Sequence, residues 1–158
     1  MKFNEFEESN ILFLQNLEIP YATVRLTDNI LKHSIFDANS EIRSFLQSQD
    51  LHDYEKQGFG QEFKVFLKTQ ILTFKRSVET KASLYRAGSR GDCRMWFGSA
   101  IFKFSNPNDL FMITAIDKEL YTINLSKIDL ELCYTTSYPN PIKNMFLSLK
   151  NKFSGLGI

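Results

Sequence analysis

The sequence predicts an α+β domain built on a mostly antiparallel, partly closed β-barrel (a pseudobarrel) with flanking helices. Six or seven extended, apolar segments follow one another through turns, and strands connected in this way pair mostly antiparallel. So many strands in a chain of 158 residues are expected to curl and close, because closure removes exposed edges. Three further segments have helical spacing, and the order shows neither βαβ alternation nor internal repeats.

The composition is that of one folded domain spanning residues 1–158. The 43% hydrophobic content and the fifteen phenylalanines are enough for a core filled with large rings. No apolar run approaches the length that crosses a bilayer, and the acidic N-terminus does not resemble a signal peptide, so we expect a cytoplasmic protein. Cys93 and Cys133 lack the spacing of a zinc site, and we expect free thiols. Residues 154–158 could begin a linker to a further domain.

The net charge of +1 conceals an uneven distribution of charged residues. Residues 1–61 carry five Lys/Arg and ten Asp/Glu, residues 62–103 carry nine and three, and residues 104–158 carry five of each. One basic block in an otherwise acidic or neutral domain is typical of a face that binds a polyanion. The alternative is that strands from different blocks are neighbours in the sheet and their charges mix.

Local signals define the elements of the first third of the chain. Asn4 can cap a helix in which Glu7 completes a capping box. A second helix can begin at Asp37 or Asn39 and has an apolar face at i, i+3, i+4 spacing. In chain order the predicted elements are a helix Asn4–Leu17, a strand Tyr21–Leu26, a polar surface loop Thr27–Ser34 and a helix Asp37–Ser48.

Strands separated by turns dominate the remainder of the chain. Turns at Asn106–Asp109 and Asp117–Glu119 precede and close a hairpin. Asn140 and Pro141 fit the cap and the first position of a last helix, which Gly155 would end. The predicted strands are Glu62–Phe74, Glu79–Tyr85, Leu110–Ile116, Leu120–Leu125 and Leu130–Thr136. The apolar stripe of the last helix consists of Ile142, Met145, Phe146, Leu149 and Phe153.

The densest group of candidate binding residues lies at a bend between two extended segments, Ser83–Tyr85 and Arg94–Phe97. The bend is turn-prone, with Gly88 and Gly91 able to adopt positive φ. Guanidinium groups and an aromatic plane on a stiff loop suit phosphate oxygens and guanine edges. The alternative is a solvated hairpin in which Asp92 pairs with an arginine. The projecting side chains are Arg86, Arg90, Arg94 and the only tryptophan, Trp96.

The central part of the chain resembles a known DNA-binding fold. The segments LYRAGSRGDCRMWFGS, NPNDLFMI and LYTINL follow one another as they do in the DNA-binding pseudobarrel. That fold is shared by plant auxin-response-type transcription factors and by the N-terminal domain of EcoRII-type restriction endonucleases. The resemblance covers residues 20–125, and YATVRLTDN followed by SEIRSFLQ lies where the family has its first strand and first recognition arm.

The resemblance implies that two arms grip double-stranded DNA and enter its major groove. The first arm would be Arg25–Ser34 and the second arm Arg86–Trp96. Base contacts would come from Arg90 and Arg94 to guanine, Asn29 to adenine or Asp92 to cytosine. Phosphate contacts, which weaken with salt, would come from Lys32, Lys68, Lys75, Arg76 and Lys81. The full set of implied DNA-binding residues is Arg25, Asn29, Lys32, His33, Ser34, Lys75, Arg76, Lys81, Arg86, Ser89, Arg90, Asp92, Arg94 and Trp96.

This binding role needs no cofactor, and it places the chain within a restriction-type system. In restriction enzymes of this kind, such a domain is a recognition or effector module beside a separate nuclease domain. We therefore expect double-stranded DNA as the partner, no membrane association, and a C-terminal nuclease domain if the full-length protein is longer.

Two other functions remain open at this point. Asp53, Glu62 and Lys64 resemble the PD-(D/E)xK pattern, in which two carboxylates hold Mg²⁺ and a lysine on the strand face of the second acid positions the attacking water. A Glu-x-Lys pair is also a common solvated pair on an exposed strand. The third function is a protein-interaction or immunity module whose basic block faces an acidic protein.

Overall fold

The computed structural model describes residues 1–154, apart from the side chains at positions 99, 102, 153 and 154. The strands are β1 Ala22–Arg25, β2 Ile35–Asp37, β3 Val65–Leu72, β4 Ser77–Ala87, β5 Asp92–Trp96, β6 Leu110–Ile116 and β7 Glu119–Asn124. The helices are α1 Glu5–Asn16, α2 Asp28–His33, α3 Ser40–Ser48, α4 Leu130–Thr135 and α5 Pro141–Ser154. Short 3-10 helices occupy Tyr54–Lys56, Gln61–Phe63 and Ser99–Phe104.

The strands of this region form one curled sheet in the order β1-β6-β7-β3-β4-β5-β2. Only β3 and β7 are parallel, and every other neighbouring pair is antiparallel. The nine residues 26–34 connect the two edge strands, so the sheet must curl to bring β1 and β2 within reach of that connection. The predicted α+β class is confirmed, and the sheet is a half-barrel rather than a closed barrel because β1 and β2 do not pair.

The two faces of the sheet are buried to different extents. On the inner face, side chains from all seven strands pack with α3 into one apolar cluster. On the outer face, α1, α4 and α5 cover β6 and β7 and form a second cluster. Phe111 and Ile113 of β6 belong to the first cluster, whereas Leu110 and Met112 belong to the second, as expected from the alternation of a strand. On the outer face of β3, β4 and β5, the side chains in the middle of the strands belong to neither cluster.

One buried polar residue attaches α1 to the loop that follows β7. The Asn10 amide nitrogen donates to the carbonyls of Leu125 and Ile128 at 2.8 and 2.7 Å. Its amide oxygen accepts from the backbone N–H of Leu130 at 3.0 Å. Three well-directed hydrogen bonds at a residue that is 4% exposed specify one position of the helix on the sheet.

Several predicted elements are confirmed. Asn4 caps α1, and its side chain and that of Glu7 form the reciprocal hydrogen bonds of a capping box at 2.8 and 3.0 Å. The β6–β7 hairpin and the turn before it are as predicted. Asn140 caps α5, whose stripe residues Ile142, Met145, Phe146 and Leu149 are buried. The Phe153 side chain, Gly155 and nearly all of the predicted linker lie outside the described part.

Two predictions of local structure are wrong. The predicted loop at 27–34 contains α2, whose cap is the Thr27 side chain, which accepts from the backbone N–H of Ile30 at 3.2 Å. The predicted strand at 130–136 is α4, capped in the same way by Asp129. Of the two caps predicted for the next helix, Asn39 is the one observed for α3, and residues 35–37 before it form the edge strand β2.

The strands of the basic block are otherwise close to prediction, and β3 begins at Val65 instead of Glu62. Cys93 and Cys133 are free thiols, as expected from the sequence. Across residues 1–154, no helix combines the length and the apolar character that crossing a membrane requires.

Candidate nucleic-acid interface

The two predicted arms leave the sheet at opposite ends. β2 and β5 are antiparallel neighbours in which Ile35 pairs with Trp96 and Asp37 with Arg94. The first arm therefore ends beside the last residue of β5, whereas the turn of the second arm, residues 88–91, precedes the first residue of β5. The five residues of β5 separate these points by about 16 Å. The structure does not bring the arms together at one end.

Arg25 of the first arm is part of an internal network. Its guanidinium donates to both carboxylate oxygens of Glu7 at 2.7 and 3.0 Å, and to the carbonyls of Lys2 and Asn108 at 2.6 and 2.9 Å. Glu7 is 2% exposed and also accepts from the Ser126 hydroxyl at 2.6 Å. Burial opposes ionisation of Glu7, but these hydrogen bonds outweigh it and lower the pKa of Glu7 to about 2. Arg25 therefore holds α1 on the sheet, with its guanidinium engaged by one carboxylate and two carbonyls.

The other predicted DNA-binding residues of the first arm are at least partly accessible. Asn29, Lys32 and His33 are exposed on α2, and Ser34 closes that helix with a φ of 62°. β1 is antiparallel to β6, β6 is antiparallel to β7, and β7 is parallel to β3, so β1 and β3 run in the same direction. The last residues of both strands therefore lie at the same end of the sheet. The exposed β3–β4 turn with Lys75 and Arg76 therefore lies at the end of the sheet where the first arm begins. Among the predicted DNA-binding residues, the exposed basic ones at this end are Lys32, Lys75 and Arg76.

Arg86 of the second arm stabilises the hairpin that carries it. Its Nε donates to the carbonyl of Gly91 at 2.7 Å, and its Nη1 donates to the carbonyl of Tyr54 at 3.3 Å. The guanidinium carbon lies 4.5 Å from the centre of the Phe59 ring, which is a cation–π distance. These contacts tie both strands of the hairpin to the segment before β3, so Arg86 is a structural residue.

Arg94 is also engaged within the fold. Its Nε lies 3.1 Å from Asp37 Oδ1 and its Nη2 lies 3.4 Å from Asp92 Oδ2. The contact with Asp37 is an ion pair rather than a hydrogen bond, because the Nε–H has no aligned acceptor. The Tyr54 hydroxyl donates to the carbonyl of Arg94 at 2.9 Å, and burial raises the pKa of Tyr54. The Arg94 guanidinium is therefore paired with two carboxylates, Asp37 on β2 and Asp92 on β5.

Arg90 stands apart from these arginines at the tip of the β4–β5 hairpin. Arg90 and Ser89 are exposed, and in the described part of the chain the Arg90 side chain forms no hydrogen bond or ion pair. The tip has a defined shape, because Gly88 and Gly91 have φ values of 63° and 71°. A Cβ at Gly91 would lie 2.4 Å from the Phe59 ring, so this ring packs directly on the turn. The hairpin thus presents one unengaged guanidinium on a supported turn.

A second group of residues lies on the outer face of β3, β4 and β5, which α1, α4 and α5 leave open. Phe66, Ser83, Trp96 and Ile35 form one row across four adjacent strands. Phe66 is 57% exposed and Trp96 is 38% exposed. The next rows on this face carry Lys68 opposite Lys81 and Tyr85 opposite Arg94. We call Lys64, Phe66, Lys68, Lys81, Tyr85 and Trp96 the aromatic–lysine face.

Two lysines of this face contact its aromatic rings. Lys81 Nζ lies 5.7 Å from the centre of the Phe66 ring, and Lys64 Nζ lies 5.1 Å from the centre of the Tyr85 ring. Lys68 instead pairs with Glu79 at 3.1 Å, and this hydrogen bond raises the pKa of Lys68. The face therefore combines two exposed rings, Phe66 and Trp96, with positive charge, whereas the Tyr85 ring is buried. Lys64 and Lys81 form no ion pair in the part of the chain that the structure describes.

Sequence reasoning included Lys68, Lys81 and Trp96 of this face but missed Phe66 as a binding residue. The alternation in FKVFLKTQ places Phe66 and Lys68 on one side of β3 and Leu67 and Thr69 on the other. That pattern predicts that Phe66 and Lys68 are neighbours on the exposed side of β3. It does not show that Phe66 lies two strands away from Trp96, because this depends on the register of β4.

The residues of the alternative nuclease pattern occupy other environments. Asp53 caps a 3-10 helix by accepting from the backbone N–H of Glu55 at 3.0 Å. Glu62 lies in the 3-10 helix before β3, so it does not share a strand face with Lys64, which lies over Tyr85. Within residues 1–154, no group of three or more His, Cys, Asp or Glu residues is placed to hold a metal ion.

Comparison of the chain with protein-family models, curated proteins and solved structures finds no match. Its function is therefore inferred from the positions and contacts of these residues.

Proposed function

We propose that this chain binds double-stranded DNA sequence-specifically, as the recognition domain of a type II restriction-endonuclease-like protein with a pseudobarrel fold. The curled half-barrel with its flanking helices is compatible with that fold. The observation that carries the proposal is the exposed, unengaged Arg90 at the tip of a hairpin whose other arginines hold it in place. A turn that is already fixed loses little backbone freedom when Arg90 binds, which favours specific recognition.

The hairpin has the shape that this role requires. A two-stranded β-ribbon fits the major groove of B-DNA, and an arginine at its tip can form two hydrogen bonds to O6 and N7 of guanine. Ser89 beside it offers a hydroxyl to a neighbouring base or phosphate. Arg86 and Arg94 act in this proposal by fixing the ribbon, and they do not read bases.

Lys75 and Arg76, which precede β4, serve as phosphate contacts. β4 has eleven residues and spans about 35 Å, which is about one turn of B-DNA. A duplex that lies along β4 with its groove over Arg90 therefore passes near Lys75 and Arg76 one turn away. These contacts are independent of sequence and weaken with increasing salt. No cofactor takes part in this binding.

The test is a selection of duplexes from a randomised pool, with EDTA and in parallel with Mg²⁺. We expect an enriched motif that binds equally in both conditions. Arg90→Ala should then reduce discrimination between the enriched and a scrambled duplex by about 1–3 kcal/mol. Lys75→Ala is the matched control, because it should weaken both duplexes equally and reduce the salt slope by about 0.9.

Two outcomes would contradict this proposal. If no motif is enriched, or if Arg90→Ala keeps full discrimination, the hairpin does not read DNA. Cleavage that needs Mg²⁺ and is abolished by Glu62→Ala would support the nuclease alternative instead. Absence of any duplex binding would favour the protein-interaction alternative.

A further inference from the structure

The aromatic–lysine face carries exposed rings and lysines that take no part in duplex recognition by Arg90. We propose that this face binds single-stranded nucleic acid, with unpaired bases stacked on Phe66 and Trp96 and the phosphates near Lys64 and Lys81. The proposal goes beyond the function proposed above, because it requires neither Arg90 nor a duplex.

The two rings are placed as a stacking platform. Phe66 pairs with Ser83, and Ser83 pairs with Trp96, so both rings stand on the same side of the sheet with one strand between them. Two strand spacings separate their Cα atoms by about 10 Å. This distance suits two different bases better than two faces of one base. Sheet faces with exposed aromatic residues bind single-stranded RNA in this way, stacking two or three bases.

Ser83 between the rings supports a polar ligand at this site. The residue is 1% exposed, and its hydroxyl has no hydrogen-bond partner in the described residues. An unsatisfied buried hydroxyl is unfavourable. Its direct neighbours Phe66 and Trp96 are the exposed residues of the row. The hydroxyl therefore lies, without a partner in the described residues, between the two rings on which the bases are proposed to stack.

The lysines of the face favour an anionic ligand. Arg94 on the same side of the sheet is paired with Asp37 and Asp92, so the available positive charge is that of Lys64 and Lys81. Lys64 and Lys81 lie over rings without forming an ion pair in the described region, so their ammonium groups can contact phosphates while their side-chain stems pack on the rings. Lys68 contributes less, because Glu79 lies 3.1 Å from it.

A single strand fits this combination better than a duplex does. In a duplex the base planes are stacked on one another and only their edges are accessible in the grooves. Unpaired bases expose their planes, and stacking on aromatic side chains tolerates any base sequence. The alternating aromatic and lysine positions therefore match a strand whose bases and phosphates both face the protein.

Trp96 provides a direct measurement because it is the only tryptophan of the chain. Its fluorescence is titrated with a twelve-nucleotide oligothymidylate, about the length that one such domain covers. The comparison ligands are an abasic oligomer with the same number of phosphates and a duplex of the same length. We expect saturable quenching by oligothymidylate, and at least roughly 5-fold weaker binding of the abasic oligomer, because stacking of one base contributes that much or more.

Four variants, one of them a matched control, distinguish stacking from charge and from the proposed duplex function. Phe66→Ala should weaken oligothymidylate binding roughly 5- to 150-fold and leave the abasic oligomer unchanged. The matched control is Phe74→Ala, which removes a similarly exposed ring in the β3–β4 turn and should leave binding unchanged. Lys81→Gln should reduce the salt slope by about 0.7. Arg90→Ala should leave oligothymidylate binding unchanged even though it impairs duplex recognition.

Any of three results would overturn the inference. Equal affinity for the abasic oligomer and oligothymidylate would show that only phosphates are bound. Unchanged Trp96 fluorescence with every oligonucleotide, or equal weakening by Phe66→Ala and Phe74→Ala, would show that the face is not the site. If no duplex motif is selected but oligothymidylate binding is intact, the proposed duplex function is refuted and the single-strand inference stands.

Discussion

The two halves of the outer sheet face differ in what covers them. Over β6 and β7, the helices α1, α4 and α5 bury an apolar cluster that includes Met112 and Phe146. Over β3, β4 and β5, the same alternation of side chains presents Phe66, Trp96 and lysines to solvent. A large ring that is buried stabilises the fold, whereas a large ring that stays exposed contributes little to it. The open half is therefore the surface whose aromatic residues call for a binding function.

The arginines show the same division at the scale of single residues. Arg25 lies at the covered side, where it donates to Glu7, and Arg86 holds the hairpin. Arg90 is left without such contacts in the described part of the chain. The number of arginines in a segment is thus a poor guide to how many can contact a ligand.

The largest expected difference compares one phenylalanine from each half. Phe146 is 2% exposed and lies 5.5 and 5.6 Å from the rings of Phe13 and Tyr134 in edge-to-face geometry. Phe146→Ala should lower the free energy of unfolding by about 3–5 kcal/mol, because it leaves a cavity in this cluster. Phe66→Ala should lower it by less than about 1 kcal/mol. Urea unfolding followed by circular dichroism measures both, and similar losses would contradict the comparison.

The next largest effect is the pH dependence of the free energy of unfolding, which we expect from Glu7 in the covered half. The pKa of Glu7 is lowered from 4.5 to about 2 in the folded protein, mainly by hydrogen bonds from Arg25 and Ser126 that outweigh its burial. This interaction therefore stabilises the fold fully above about pH 4.5 and is lost as the pH falls toward 2. The loss should amount to about 3 kcal/mol.

The measurement is the free energy of unfolding of the wild type and of Glu7→Gln between pH 7 and pH 2.5. The wild type should be more stable at pH 7, and the two should converge at low pH, because the glutamine cannot ionise. A constant difference over the whole range would show that the carboxylate charge of Glu7 is not what stabilises α1 on the sheet.

The smallest effect compares two arginines of the second arm. Arg86→Ala removes two hydrogen bonds and the contact with Phe59, so it should lower the free energy of unfolding by about 2 kcal/mol. Arg90→Ala should change it by less than about 0.5 kcal/mol. Thermal unfolding of both variants tests this, and a large loss for Arg90→Ala would mean that the tip arginine also has a structural role.

Local signals predicted many elements from the sequence. The capping box of α1, the β6–β7 hairpin and the Asn140–Pro141 start of α5 each depend on residues close in the chain. The alternation that puts Met95 and Arg94 on opposite faces of β5 is of the same kind. Propensity and capping act over a few residues, so the sequence displays them directly.

Short elements were harder to predict, and the tertiary structure decided them. α2 and α4 have six residues each, too few for a clear helical period, and their caps Thr27 and Asp129 also fit turns. β2 has three residues and exists because it pairs with β5 at the edge of the sheet. In each case packing against distant segments outweighed a weak local preference.

The sequence by itself determined the α+β class, the basic block at 62–103 and the turn that presents Arg90. It could not determine that Arg25 is paired with Glu7, that the two arms lie at opposite ends, or that Phe66 lies two strands from Trp96. These facts depend on the register and order of strands that are far apart in the chain. A shift of one residue in any pairing moves every side chain to the other face, so only the assembled sheet specifies the site.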